Sequence, residues 1–179
     1  MSILIYAESA EGKIKKVAFE LASYAKKVAS SMGTTVTAVT INNADNSALA
    51  TYGVDKVVTV SNDKLNNFSA KAYADVIAQV AKKEGAQIVL VSSSTDSLYV
   101  APLVAVALEA GYASNVVALP ESTSPFQVKR TAFSNKAFNL TEINTPVKVL
   151  GIAKNAFGLI ENASSLTEES FTPSLNDAD

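Results

Sequence analysis

The chain predicts an α/β protein in three layers, a mostly parallel sheet flanked by helices with an antiparallel extension near the carboxyl terminus. Three observations carry that expectation. Short apolar runs alternate with segments of helical period over the first two-thirds of the sequence. Residues 85–119 read as strand, polar turn, apolar helix, glycine stop and strand, the unit that builds parallel sheets through right-handed crossovers. From residue 120 onward turn-rich breaks separate strand-like runs with no helix between them.

Element by element, residues 3–7 form an apolar run with the character of a buried strand. Gly12 breaks it, and Ile14, Val17, Ala18, Leu21, Ala25 and Val28 recur at helical spacing as far as Gly33. Lys13, Lys15, Lys16, Lys26 and Lys27 fall mostly off that stripe, as a solvated face does. Residues 34–41 are rich in β-branched side chains and predict a second strand. A polar stretch at 42–53 holds one to three helical turns, and 56–60 predict a third strand. Ser69 is placed to cap a helix carrying Tyr73, Val76, Ile77, Val80 and Ala81 on one face, Gly85 ends it, and 87–91 form a fourth strand.

The next helix, residues 97–110, differs from the others because Leu98 through Leu108 leave almost no polar face. Such a helix is normally buried all round, so later chain or a partner is expected to cover it. Residues 114–119 predict a fifth strand, and 127–132 with 136–143 a hairpin turning through Phe133-Ser134-Asn135. Residues 147–153 predict the last strand. The expected division is an α/β domain over 1–155 and a linker or disordered tail over 156–179, which is Ser/Thr/Asn-rich and acidic toward its end.

At 179 residues and 48% hydrophobic, the chain is long enough to bury a substantial core. Histidine and cysteine are both absent, which excludes Cys/His zinc sites, thiol nucleophiles, disulfides and Ser-His-Asp triads. A net charge of −2 offers nothing to nucleic acid or an anionic membrane. No basic leader opens the chain, and no apolar run approaches the roughly 20 residues that cross a bilayer. The expectation is a soluble cytoplasmic protein with no catalytic residues, no metal site, no membrane insertion and no nucleic-acid partner.

The turn at 92–97 is the best-placed ligand site, because it follows a strand and opens a helix whose N–H groups face outward. Its weak cofactor-binding candidates are Ser93, Ser94, Thr95 and Asp96; the plainer reading is that Thr95 or Asp96 simply caps the helix. The loop after the first strand carries Glu8, Glu11 and Gly12, where a dinucleotide site would need three glycines and no carboxylates. Carboxylates in such a loop are normally solvated, so an acid/base pair there is not expected. Arg130, the only arginine, either meets a carboxylate or phosphate on a partner or makes an ordinary ion pair.

Taken together, these residues resemble the amino-terminal domain of the electron transfer flavoprotein alpha subunit. The opening Ile3-Leu4-Ile5-Tyr6-Ala7-Glu8 with Gly12-Lys13-Ile14, then Gly53-Val54-Asp55-Lys56-Val57, look like that family's start and its approach to the third strand. Ala101-Pro102 with Val104-Ala105, then Gly111, Ser114, Val116 and Leu119, are similar to its helix-and-strand signature. Lys129-Arg130, Phe133 and Lys136-Ala137 look like its hairpin. The similarity runs from residue 1 to about 155 in the family's order. Ser97-Leu98-Tyr99 and Leu103 stand where the family commonly has a Gly-basic-acidic segment and an arginine, which makes the helix surface greasier.

The resemblance implies a nucleotide-binding-like, Rossmann-like fold and a scaffold role in a heterodimeric electron carrier. That carrier accepts electrons from dehydrogenases on FAD, which lies mostly in a carboxyl-terminal domain that this chain lacks. It implies packing against a beta subunit, which in many members holds AMP, and no binding of FAD by this chain alone. Leu98, Tyr99, Leu103 and Arg130 are the expected partner interface. The alternative is a stand-alone adenine-nucleotide-binding α/β domain similar to universal stress proteins, using the 92–97 turn.

Overall fold

The computed structural model describes residues 2–175 and has the layered α/β architecture that the sequence predicts. β1 (Ser2–Tyr6) leads through a small ribbon, β2 (Ser9–Ala10) and β3 (Lys13–Ile14), into helix α1 (Lys16–Met32). β4 (Thr35–Ile41), a 3-10 turn at Ser47–Tyr52 and β5 (Lys56–Val60) follow. Helix α2 (Ala70–Lys83), β6 (Ala86–Ser92), helix α3 (Thr95–Ala107) and β7 (Gly111–Val116) complete the alternating part. Five strands close the chain: β8 (Ser122–Thr123), β9 (Phe126–Ala132), β10 (Ala137–Glu142), β11 (Lys148–Ile152) and β12 (Thr167–Ser170).

Ten of these strands make one mixed sheet in the order β10-β9-β7-β11-β6-β1-β4-β5-β12, with β8 paired to β9 beside that path. β1, β4, β5, β6, β11 and β12 run parallel to their neighbours, and the β7-β9-β10 flank is antiparallel. From β1 the chain steps outward to β4 and β5, then returns through α2 to β6 on the other side of β1. The gap between β1 and β6 is therefore the topological switch point, where open α/β sheets form their crevice.

Both faces of the sheet are covered, which explains why its central strands are apolar without a break. Ile3, Ile5, Val36 and Leu90 pack against Leu21, Tyr24 and Val28 of α1, with Leu49 of the 3-10 turn beside them. Leu4, Val58 and Val89 pack on the other side against Val76, Ile77 and Val80 of α2 and Val100 and Val104 of α3. The caps follow the sequence. Ser69 Oγ accepts the Ala72 N–H, and α1 stops at Gly33, whose left-handed backbone returns an N–H to Ala29. Gly53 is required twice over: its φ is +91°, and a Cβ there would lie 2.5 Å from the Lys26 side chain. That side chain crosses it to pair with Asp55 at 2.9 Å.

Three expectations need correction. Helix α3 begins at Thr95, two residues earlier than the expected start at 97, because Ser94 and not Thr95 or Asp96 supplies the cap, its Oγ accepting the Ser97 N–H at 3.1 Å. β7 begins at Gly111, where pairing with β11 starts, and not at 114. Among the described residues the segment after 155 is not frayed. Its backbone bonds to Thr51 and Ala50, β12 pairs in parallel with β5, and Phe171 and Leu175 pack against the α2 side of the core. Residues 176–179 of the expected tail lie outside the described residues.

Candidate functional site

At the switch point the structure joins two loops that the sequence presents separately. Glu8 leaves the end of β1 and is only 2% exposed, contrary to the solvated carboxylate expected there. The hydroxyls of Ser92, of Ser94 at 2.8 Å and of Ser97 at 2.7 Å all donate to its Oε1, and Lys15 Nζ lies 3.3 Å from Oε2. The serines are themselves held: Ser92 Oγ accepts the Ser94 N–H, and Ser94 Oγ caps α3. The carboxylate of Glu8 thus sits against the first turn of α3, held by side-chain hydroxyls and a lysine.

Burial works to raise the Glu8 carboxyl, but donors from Ser92, Ser97 and Ser94, and then the Lys15 charge, outweigh it and hold it below the usual carboxylate range. The neighbouring Tyr6 phenol is pushed far up, first by burial and then by Glu8, and stays neutral. An ionised carboxylate with committed donors is a poor general base, and serines that all donate to it are poor nucleophiles. What the cluster does is lock β1, β6 and α3 together.

Of the four weak cofactor-binding candidates, only Ser94 belongs to this cluster. Ser93 is not among the donors to Glu8: its N–H bonds to the Ile152 carbonyl at 3.0 Å and its Oγ is enclosed with no partner, and Thr95 is exposed. Asp96 lines a crevice of about 390 Å³ beside the cluster, together with Tyr6, Glu8, Glu11, Asn42, Phe68 and Tyr73. A phosphate entering it would meet three carboxylates. A larger hollow of about 540 Å³ opens between the start of α1 and the chain after β11, rimmed by Lys15, Lys16 and Lys154. At its floor the buried Glu20 carboxylate accepts the N–H groups of Asn155, Phe157 and Gly158 at 3.1–3.2 Å. Among the described residues no cluster of three or more acidic side chains could hold a metal ion, and no helix is long and apolar enough to cross a membrane.

Helix α3 divides along its length. Val100, Ala101, Val104 and Ala105 are buried, while Leu98 (48%), Tyr99 (64%), Leu103 (42%) and Val106 (78%) share an outer face open to solvent. Among the described residues nothing covers that face. Arg130 stands apart from it on β9, opposite Val116 of β7. Its Nη2 donates to Ser114 Oγ at 3.3 Å, and its Nε is enclosed with no partner.

Residues 3–175 match the family model of the electron transfer flavoprotein domain, which spans nearly all of the described chain. The chain belongs to the electron transfer flavoprotein family. Among curated relatives, the electron transfer flavoprotein subunit alpha of Thermoanaerobacterium thermosaccharolyticum is 32% identical over 120 residues, covering 65% of this chain and 36% of that protein. The subunit alpha of Bacillus subtilis is 26% identical over 179 residues, covering 98% of this chain and 55% of that protein. The acryloyl-CoA reductase electron transfer subunit beta of Anaerotignum propionicum is 27% identical over 112 residues, covering 61% and 30%. The chain therefore spans about a third to a half of the relatives it matches, and corresponds to the amino-terminal part of electron transfer flavoprotein alpha subunits.

Proposed function

We propose that this chain is the amino-terminal scaffold of a heterodimeric, FAD-dependent electron carrier that takes electrons from dehydrogenases in the cytoplasm. The flavin is held by the complete heterodimer and not by these residues alone. AMP, where present, belongs to the beta subunit. The chain performs no redox chemistry by itself and shapes the assembly instead.

The observation that carries this reading is the outer face of α3. Four large apolar side chains in open water are an unusual expense for one exposed helix face, and they mark a contact surface. We assign Leu98, Tyr99 and Leu103 to the beta subunit. We assign Arg130, which lies apart from that face on β9, to the same partner as a charged contact. The nucleotide-binding alternative gains nothing from the site, because Glu8, Glu11 and Asp96 line the crevice that a phosphate would enter.

The test is Leu103→Glu, compared with wild type by calorimetric titration against the beta subunit and by circular dichroism. Lost or at least tenfold weaker binding with an unchanged melting curve is the expected result. Undiminished binding rejects the assignment. Titrating the chain with FAD should leave flavin fluorescence unchanged at tens of micromolar, and stoichiometric quenching would overturn the scaffold role.

A further inference from the structure

The crevice beside the Glu8 cluster plays no part in the scaffold role. It encloses about 390 Å³ at the carboxyl ends of β1 and β4, bounded by the turn before α2, by α2 itself and by the first turn of α3. Three carboxylates line it, and only one has a counter-charge. Glu8 is neutralised by Lys15 and committed to its serines. Glu11 and Asp96 make no ion pair or hydrogen bond among the described residues.

Tyr6 adds an independent sign of a ligand. The residue is only 6% exposed and lines the crevice, yet its hydroxyl makes no hydrogen bond among the described residues. A phenol so deeply buried normally finds a partner, so this oxygen is an open position on the crevice wall. Tyr73 stands edge-on to Tyr6 at 6.2 Å between ring centroids, and Phe68 to Tyr73 at 5.1 Å, so aromatic rings continue the wall. The Tyr73 hydroxyl is already used, donating to the Leu65 carbonyl at 3.0 Å. Burial pushes both phenols up, and the nearby Asp96 charge adds to it, so both stay neutral.

Two unpaired carboxylates, an unbonded phenol oxygen and a run of rings suit a cation. The carboxylates do not converge as metal ligands do, since among the described residues no cluster of three acidic side chains could hold a metal ion. Aromatic walls also attract an organic ammonium, whose charge is spread next to apolar carbon. We propose that this crevice binds a small aliphatic diamine. One ammonium group lies between Asp96 and the Tyr6 oxygen against the Tyr73 ring. The methylenes run past Phe68, and the second ammonium group meets Glu11, which is exposed.

Calorimetric titration of the chain with putrescine (1,4-diaminobutane) tests the proposal, with 1,4-butanediol as the neutral isostere and circular dichroism as the control for folding. Wild type should bind one putrescine per chain and give no heat with the diol. Asp96→Asn should weaken putrescine about tenfold, and Glu11→Gln, which removes an exposed charge, about threefold. Tyr6→Phe should weaken it about threefold and leave the melting temperature in place, because that hydroxyl holds nothing within the chain. Glu121→Gln removes the same charge from the exposed loop before β8, away from the crevice, and should change nothing. If Asp96→Asn unfolds the chain, Tyr6→Phe and Glu11→Gln still decide. No saturable binding at millimolar putrescine overturns the proposal, as does equal binding of the diol. So does weakening by Glu121→Gln as large as that by the crevice variants, the mark of general attraction to an acidic surface.

Discussion

A carboxylate taken out of water needs donors, and Glu8 has four groups supplying them. Glu8→Gln keeps the volume but removes the charge and turns an N–H₂ toward Lys15 or the serines. It should cost about 2 kcal/mol in urea unfolding near neutral pH. The pH dependence has a definite sign. Because the folded carboxyl sits below its usual value of 4.5, its stabilisation is complete above that value and is lost as pH falls through the folded one. The gap between wild type and Glu8→Gln should thus be flat at neutral pH and shrink on acidification below 4.5; an unchanged gap would remove Glu8 as the lock. The 92–97 turn was legible as a polar strand-end turn, but not its partner. Burial of Glu8 arises from the adjacency of β1 and β6, which are eighty residues apart in sequence. The local hint was a carboxylate directly after an unbroken apolar strand and serines at 92, 94 and 97.

The helices and central strands were legible because each has its own periodicity or an unbroken apolar run. Helix α3 was legible as a helix but not in its rotation. Apolar residues all round leave no pattern to tell the Val100 side from the Leu103 side, and packing on α2, β11 and β6 decides it. β12 had no signal at all. Thr167-Glu168-Glu169-Ser170 lacks apolar alternation because its place at the edge depends on backbone bonds to β5 and on Glu169, which pairs with Lys56 at 2.7 Å and with Lys83. Those two lysines hold the Glu169 carboxyl down to about 2. The strand should therefore stay charged-paired through ordinary acid conditions and loosen only as pH approaches that value. Glu169→Ala is expected to speed amide exchange at 167–170 while leaving the global melting temperature in place. Unchanged exchange there would mean that the backbone ladder alone holds the edge.

At the scale of the whole molecule, residues 155–175 act as a strap. It leaves the end of β11, bonds to Glu20 and Ser23 of α1, lays Phe157 edge-on to Tyr24, and bonds to Thr51 of the 3-10 turn. It then adds β12 to the far edge and ends against α2, where Gln79 and Ser174 exchange two hydrogen bonds. The strap thus ties the centre of the sheet to its edge and touches both helical layers. Its bonds run on with few breaks, through Asn162, Ser164 and Thr167, so it should open as one cooperative unit and not residue by residue. Glu20→Gln tests this, since glutamine keeps one acceptor oxygen but loses the charge that draws three N–H groups. The substitution should raise exchange about tenfold at Asn155, Phe157 and Gly158, the order expected when charge-assisted bonds become neutral ones. In a cooperative strap the amides of β12, at the sheet edge beyond β5, accelerate with them. If only residues near Glu20 respond, the strap is two independent attachments, and the edge strand holds its place without help from the centre of the sheet.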